Sequence, residues 1–516
     1  METVIERPGR TRRFLDGVWL SYAYQGLVMI VGLWLTPFLL HRIGQHDLGV
    51  WMVATQLLMY LALVDVGVLT LLPRETAYMT GRAGGFHEAK DLPLLIGEIS
   101  QIVLLQSLVA AIAAVCVWFL MPASWHEFRG LIGIILAAFV LVFPLRIFQG
   151  VLQGLQDLKF LGRVQIATWT ISTVTTIALV LKGFGLYALA IGWVLSQFLS
   201  AILAGCRLWT AFPMVIPRSR PKLSWHSMGN LLSRGLWITV SQLAVTLGAV
   251  DVLFISKFFG ASAVVPYACT LKLALVFWNQ PLLMMQAAEP GLSELKTGAS
   301  KDRIIRPVTA LTQAILMLSG LLGCVVIAVN RSFVSWWVGP TRYIGLPILL
   351  VYVLNMLARH WNIATTYTNF CFGYERRICF TTLSEGILTA GSSYLLIWWL
   401  GPIGAPAGML VGVLLIALPV NLLTLRSELG VSMIELVKPL WPWFWRFVPL
   451  CMAAIVINLR APLFKFPGIV ALSTLVGLAY AGIMFRPGQD SALGTYLMPQ
   501  LRLIWKRLSP ARSVAQ

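Results

Sequence analysis

The stretch FPLRIFQGVLQGLQD, Phe143–Asp157, places a polar stripe within a long apolar run. Arg146, Gln149, Gln153 and Gln156 recur at spacings of three, four and three residues. At about 100° per residue, these side chains fall within about 80° of one helix face. An arginine near the middle of a helix in lipid costs about 3 kcal/mol on insertion scales, so it needs a protein or water environment. The stretch therefore predicts a membrane helix with one functional polar face.

The composition indicates a membrane protein throughout. Of the 516 residues, 58% are hydrophobic and 11% are charged, whereas about 25% charged residues are typical of soluble domains. Repeated apolar runs of about 20 residues match the hydrocarbon thickness of a bilayer, and none alternates like an outer-membrane strand. We predict an all-α polytopic membrane protein with about fourteen transmembrane helices. The predicted spans are 17–40, 51–72, 94–120, 131–155, 164–181, 186–206, 231–256, 264–290, 308–329, 344–370, 378–400, 405–425, 447–459 and 469–485.

The basic N-terminal segment is interpreted as the start of a retained helix. The apolar run that follows it continues to Leu40 without a small-residue cleavage site. The seven cysteines are scattered singly without a CxxC pair, which is typical of small core residues. We therefore expect no disulfide, no metal site and no cofactor.

The distribution of charge predicts the orientation. With the N-terminus in the cytoplasm, the cytoplasmic segments hold 27 of the 39 Lys and Arg residues and the outer segments hold 8. This is the bias of cytoplasmic loops in cell membranes, so both termini are predicted to be cytoplasmic in a multi-pass inner-membrane protein. The net charge of +19 follows from that bias and from contact with anionic membrane lipids, and we expect no nucleic acid partner.

The chain contains an internal repeat. Four polar pairs recur at an offset of 213 residues, namely Arg146 and Arg359, Gln149 and Asn362, Gln153 and Thr366, and Gln156 and Asn369. A weaker match sets Ile43–Trp51 against Phe259–Tyr267 at an offset of 216. The repeat predicts two pseudo-symmetric six-helix lobes, with the substrate between them.

The predicted domains follow from this repeat. The N-terminal lobe spans 1–206, and a cytoplasmic linker spans 207–227, whose segment Thr210–Trp225 contains three prolines and three cations. The C-terminal lobe spans 228–426. A C-terminal helix pair and a basic tail occupy 427–516.

The chain resembles the polysaccharide flippase, or O-antigen exporter, family of the multidrug/oligosaccharidyl-lipid/polysaccharide exporter superfamily. That superfamily also holds multidrug extruders and the lipid II flippase. The segments that carry the resemblance are Gly44–Trp51, LVDVG at Leu63–Gly67, QGVLQGLQ at Gln149–Gln156, YACTLKL at Tyr267–Leu273 and SWWVGP at Ser335–Pro340. The resemblance implies two lobes around a cavity that opens alternately to each side, and a polyprenyl-diphosphate-linked oligosaccharide as the substrate.

The residues of the two stripes suit such a substrate. Arg146 and Arg359 are predicted at the same depth in equivalent helices, and a guanidinium binds phosphate oxygens bidentately. The amides of Gln149, Gln153 and Asn362 offer donors and acceptors for sugar hydroxyls. We predict a substrate site formed by both stripes together with Lys272. The alternative is that the arginines bond neighbouring carbonyls or acids and lock helices together.

Four further titratable groups lie within predicted spans. Asp65 and Asp251 are candidates for proton or sodium coupling, although each is equally suited to pair with a cation or to cap an irregular turn. His360 is predicted to be a hydrogen-bonded packing residue. Glu385 lies near a predicted cytoplasmic end, where we expect it to be solvated.

The sequence favours transport over catalysis. It lacks a DxD pair, an HExxH motif, a Walker A loop and a GxSxG motif, so we predict that the protein is not an enzyme. The predicted function is a flippase in cell-surface polysaccharide biosynthesis, whose partners are the lipid-linked oligosaccharide, membrane lipids and other biosynthesis proteins such as a polymerase. The alternatives are a cation-coupled multidrug extruder on the same fold and a membrane-embedded polymerase or glycosyltransferase.

Overall fold

The computed structural model describes residues 10–83, 87–121, 129–217, 225–282, 284–285, 288, 292 and 301–495, which are almost entirely helical and contain no strand. Both chain ends, on which the predicted cytoplasmic termini and basic tail rest, lie outside the described residues. The chain forms two compact units, Met1–Thr246 and Leu247–Gln516. The predicted linker 207–227 therefore lies within the first unit, and its residues 218–224 are not described.

The first unit contains nine described α-helices. They are α1 (Arg10–Ile43), α2 (Gln45–Leu61), α3 (Val68–Arg82), α4 (Leu92–Phe119), α5 (Arg129–Val142), α6 (Arg146–Gly154), α7 (Leu158–Leu181), α8 (Leu186–Ala211) and α9 (Trp225–Leu247). The predicted seventh helix, α9, packs in this unit, where Gly235 lies against the backbone of Val66 and Gly67.

The second unit contains the remaining described helices. They are α10 (Asp251–Phe259), α11 (Ala261–Phe277), α12 (Lys301–Trp337), α13 (Leu346–Cys371), α14 (Glu375–Leu400), α15 (Gly404–Gly412), α16 (Leu418–Leu429), α17 (Met433–Val437), α18 (Trp441–Arg460) and α19 (Phe466–Asp490). A π-helical turn, Val413–Ala417, joins α15 to α16.

Twelve stretches of the described chain are long and apolar enough to cross a membrane, or thirteen if the bent pair formed by α9 and α10 is one span. One of them, Arg376–Leu429, is 54 residues long. It contains two helical segments that pack against each other, namely α14 and the continuous segment from α15 to α16. The chain turns between them at Gly401, where φ is 63°. The prediction of an all-α polytopic membrane protein is confirmed.

The helix that carries Arg146 is interrupted immediately before this residue. A 3-10 turn, Phe143–Leu145, separates α5 from α6. Pro144 has no N–H to donate and disfavours a continuous α-helix at this point. The equivalent α13 continues without a break through Arg359.

The two units share a backbone detail at the 216-residue offset. Gly44 precedes α2 with φ 88° and ψ 167°, and Gly260 precedes α11 with φ 83° and ψ 162°. Both following helices are 17 residues long. Positive φ favours glycine, so the repeat places a glycine at the same turn in each unit.

The C-terminal helices α18 and α19 pack on α12. Trp443 donates a hydrogen bond to the Tyr480 hydroxyl at 3.0 Å and stacks on Phe447 with 5.0 Å between ring centroids. A Cβ on Gly320 would lie 2.5 Å from the Tyr480 oxygen, so a glycine is needed for this close approach.

Candidate functional site

Arg146 lies in a cavity of the first unit that has both polar and apolar lining residues. The residue is exposed and lines a cavity of about 250 Å³ together with Thr55, Met59, Trp193 and Gln197. No acidic side chain among the described residues forms an ion pair with Arg146, although its charge acts on the Asp65 carboxylate. An unpaired guanidinium beside an amide and an indole ring suits a phosphate with an attached sugar.

The three glutamines of the first stripe lie in different environments. Gln149 donates a 2.6 Å hydrogen bond to the Ser200 hydroxyl on α8, and Gln153 is exposed. Gln156 lies beyond the end of α6 with φ 60°. Its predicted position on the helix face is wrong, because a hydrogen bond from the Asp157 N–H to the Leu152 carbonyl, 3.1 Å long, closes the helix before it.

Arg359 is charge-compensated within the second unit. Its guanidinium lies 2.9 Å from the Glu385 carboxylate and 5.8 Å from the centroid of the Trp278 ring. Glu385 Oε1 has no aligned hydrogen-bond donor, so the contact is an ion pair without hydrogen-bond geometry. The prediction that Glu385 is solvated is wrong: this residue of α14 is 5% exposed because its side chain points toward Arg359 on α13.

His360 follows Arg359 and is fully buried. Its Nδ1 lies 2.6 Å from the Ser319 hydroxyl and its Nε2 lies 3.1 Å from the Trp278 carbonyl oxygen. Both ring nitrogens thus have hydrogen-bond partners from other helices. The prediction of a hydrogen-bonded packing histidine is confirmed.

The remaining polar residues of the second stripe converge on Asn421 of α16. The Asn421 side chain donates to Asn362 and to Thr366, each at 2.9 Å. The backbone carbonyl of Asn421 accepts a hydrogen bond from the Asn369 side chain at 2.9 Å. Asn421 is not among the site residues predicted from the sequence. The available signal was a lone asparagine in an apolar run, since an amide inside a membrane helix needs a polar partner.

The other candidates are a cation and two acids. Lys272 on α11 is half-buried and has no acidic partner among the described residues. Asp65 accepts the Leu69 N–H at 2.8 Å, and Asp251 accepts the Tyr267 hydroxyl at 2.9 Å. Both carboxylates therefore have structural partners, and ion coupling by either one stays a prediction.

Comparison with solved structures identifies the fold. The lipid II flippase MurJ in an inward closed conformation matches with a TM-score of 0.66 at 13% identity, over 91% of this chain and 99% of MurJ. An inward-facing multidrug resistance MATE transporter of the MOP superfamily matches with a TM-score of 0.57 at 13% identity, over 83% of this chain and 96% of the transporter. The fold is that of MOP-superfamily transporters.

The sequence itself identifies the family. Residues 98–358, just over half of the chain, match the model of a family described as polysaccharide biosynthesis protein, and the chain belongs to this family. No curated protein matches the chain significantly. The resemblance to polysaccharide exporters of this superfamily is thus confirmed.

Proposed function

We propose that the protein is a flippase that moves a polyprenyl-diphosphate-linked oligosaccharide from the cytoplasmic to the outer leaflet by alternating access. Membership of a polysaccharide biosynthesis family and the fold shared with a lipid II flippase support this proposal. The translocated glycan then enters cell-surface polysaccharide biosynthesis, where a polymerase is an expected partner. We place the protein in the inner membrane with both termini in the cytoplasm.

The environment of Arg146 carries the proposal. A buried or membrane-embedded guanidinium is normally neutralised by an acid, as Arg359 is by Glu385. Arg146 instead lines a cavity with Gln197 and Trp193 and lacks an ion-paired acid among the described residues. Such a cation is available to bind a diphosphate, while the amide and the indole ring contact the adjoining sugar.

The other predicted residues have different roles in the proposed site. Gln153 is exposed and Lys272 is half-buried, so we assign them to the substrate directly. Gln149 and Asn362 are engaged in hydrogen bonds to neighbouring helices, and we assign them to positioning of the site. Arg359 contributes to the site when its contact with Glu385 is exchanged for the substrate.

A multidrug extruder is the second candidate, because the same fold also matches a MATE transporter. Extrusion of organic cations favours an acidic cavity. The cavity described around Arg146 contains a cation and no carboxylate among its lining residues, which favours an anionic substrate. Efflux of cationic dyes by the wild-type protein would support the extruder instead.

The first prediction concerns Arg146→Ala. We expect it to lower export of the surface polysaccharide at least about tenfold, because a charge-assisted hydrogen bond contributes about 1.5–3 kcal/mol. Arg146→Lys retains partial export, since lysine keeps the charge but loses the bidentate geometry. The measurement is surface glycan in cells whose chromosomal gene is replaced by each variant, together with lipid-linked glycan retained in the membrane.

Arg163→Ala is the matched control, because this exposed arginine lies on α7 of the same unit and outside the Arg146 cavity. It should leave export unchanged. Each variant is compared at an equal amount of membrane-inserted protein. Normal export by Arg146→Ala at the wild-type protein level would refute the proposed substrate site.

A further inference from the structure

Two adjoining cavities lie along α12 in the second unit. An apolar cavity of about 220 Å³ is lined by α12 and α19 residues, among them Met317, Leu321 and Met484. A second cavity, of about 510 Å³, lies at the Arg306 end of α12 and is lined by Arg306 and Arg446. Met317 lines both cavities, so they adjoin at this residue. We refer to the pair as a groove with an apolar arm and a cationic mouth.

Hydrogen bonds between three helices hold the mouth of the groove. Gln313 on α12 donates to the carbonyl of Pro439 at 2.9 Å and accepts the Leu493 N–H at 3.2 Å. Trp443, which lines the mouth, is fixed by its hydrogen bond to Tyr480, which lines the apolar arm. The segments just before α18 and just after α19 are thus bonded to α12 through Gln313, and α18 is bonded to α19 through Trp443 and Tyr480.

The mouth carries an excess of positive charge. Arg306 is exposed, and Arg446 donates to the Pro442 carbonyl of its own helix at 2.9 Å. Asp490 also lines the mouth, but it forms no ion pair with either arginine. Two guanidinium groups therefore face one carboxylate at the edge of an apolar slot.

We propose that this groove binds an anionic glycerophospholipid of the surrounding leaflet. The phosphate contacts Arg306 and Arg446, and one acyl chain occupies the apolar arm beside Met317 and Met484. Guanidinium groups bind phosphate oxygens through charge-assisted hydrogen bonds, and basic pockets between membrane helices bind anionic headgroups. In the predicted orientation this is the cytoplasmic leaflet. The site is independent of the transported substrate.

A second groove, in the first unit, allows a comparison of headgroup selectivity with the Arg306 groove. It has a volume of about 280 Å³, and the described residues that line it, among them Ile96, Phe148 and Trp209, carry no charge. An acyl chain can enter such a groove, but nothing in its lining distinguishes an anionic headgroup from a zwitterionic one. We therefore expect headgroup selectivity in the Arg306 groove and none in this one.

The test uses the full-length protein in nanodiscs that contain phosphatidylglycerol or phosphatidylethanolamine with the same photoactivatable acyl chain. We expect phosphatidylglycerol to label peptides around Met317 and Met484 at least about tenfold more than phosphatidylethanolamine, because each basic residue near an anionic surface contributes about 1 kcal/mol. Labelling around Phe148 should be equal for the two lipids. Equal labelling at both grooves would overturn the proposal.

Variants separate the headgroup from the chain. Arg306→Gln with Arg446→Gln should abolish the preference for phosphatidylglycerol, whereas Arg486→Gln should retain it because Arg486 on α19 does not line the mouth. Ala481→Trp, which fills the apolar arm, should reduce labelling by both lipids. Thermal unfolding of each variant confirms folding. Persistence of the preference in the double variant, or stronger competition by a polyprenyl phosphate than by phosphatidylglycerol, would refute the assignment.

Discussion

Gly67 lies where helix α9 crosses the irregular turn between α2 and α3. The turn has two successive residues with positive φ, Val66 at 46° and Gly67 at 68°. A left-handed conformation costs a residue with a side chain about 1–2 kcal/mol. Asp65 offsets this cost because its carboxylate accepts the Leu69 N–H and caps the start of α3. Asp65, a candidate for ion coupling, therefore also has a structural role as the cap of α3.

We expect Gly67→Ala to destabilise the protein by more than about 3 kcal/mol, since a left-handed alanine is strained and its side chain also clashes. The new Cβ would lie 2.4 Å from the Gly235 carbonyl oxygen. Gly183→Ala is the matched control, because this glycine follows the end of α7 with φ 85° but no atom lies within 4 Å of the position of its Cβ. Its expected cost is about 1 kcal/mol. Chemical unfolding of the purified variants in detergent measures both, and equal losses would contradict the packing argument.

At the scale of helices, the polar stripes connect elements within each unit. In the first unit, Gln149 on α6 bonds Ser200 on α8, and in the second, Asn362 on α13 bonds Asn421 on α16. The two bonds join the predicted fourth helix to the sixth and the tenth helix to the twelfth. The repeated pair Gln149 and Asn362 therefore makes an equivalent interhelical contact in each unit, in addition to being part of a candidate binding surface.

We expect Ser200→Ala to lower the free energy of unfolding by about 0.6 kcal/mol, the average value for an interhelical hydrogen bond in a membrane protein, and Asn421→Ala to lower it by about 1.2 kcal/mol. The difference follows because the Asn421 side chain donates to Asn362 and Thr366, whereas Ser200 accepts one bond from Gln149. The bond from Asn369 goes to the backbone carbonyl of residue 421 and is kept in the alanine variant. Reversible unfolding in mixed detergent measures both variants. Similar losses would show that the Asn421 contacts contribute little.

Periodicity predicted which residues share a helix face, and it failed where the helix ends. The 100° rule placed Gln156 with Arg146, but α6 ends at Gly154. Likewise, the position of Glu385 near a helix end suggested solvation, because a sequence does not state which helix packs beside it. The partner of a polar side chain depends on tertiary packing, so Asn421 and Glu385 became apparent only in the folded chain.

At the scale of the whole chain, hydropathy predicted the architecture because lipid requires each span to satisfy its own backbone. Turn glycines such as Gly44 and Gly260 repeat with the same backbone conformation. The division between the compact units was less accessible to sequence reasoning. It falls after Thr246, since α9 contacts Gly67 of the first unit and contact partners are not encoded in hydropathy.

The two units differ in charge at one equivalent position. Glu385 corresponds to Ser172 at the 213-residue offset that also relates Arg359 to Arg146. The surroundings match in detail. A Cβ on Gly192 would lie 2.0 Å from Thr176 Oγ1 and 3.2 Å from the Ser172 carbonyl, and one on Gly412 would lie at the same distances from Thr389 Oγ1 and the Glu385 carbonyl. The second unit thus neutralises its arginine, and the first leaves Arg146 available.

This difference makes Ser172→Glu a direct test of the role of Arg146. The variant should place a carboxylate beside Arg146, as Glu385 lies beside Arg359, and should lower glycan export at least about tenfold, because the new carboxylate competes with phosphate for the guanidinium. Ser172→Gln has nearly the same volume without the charge and should retain export. In an Arg146→Ala background, Ser172→Glu should add no further loss, since it acts through Arg146. The measurement is surface glycan at an equal protein level. Equal export by the Glu and Gln variants would contradict the claim that export requires an unpaired Arg146.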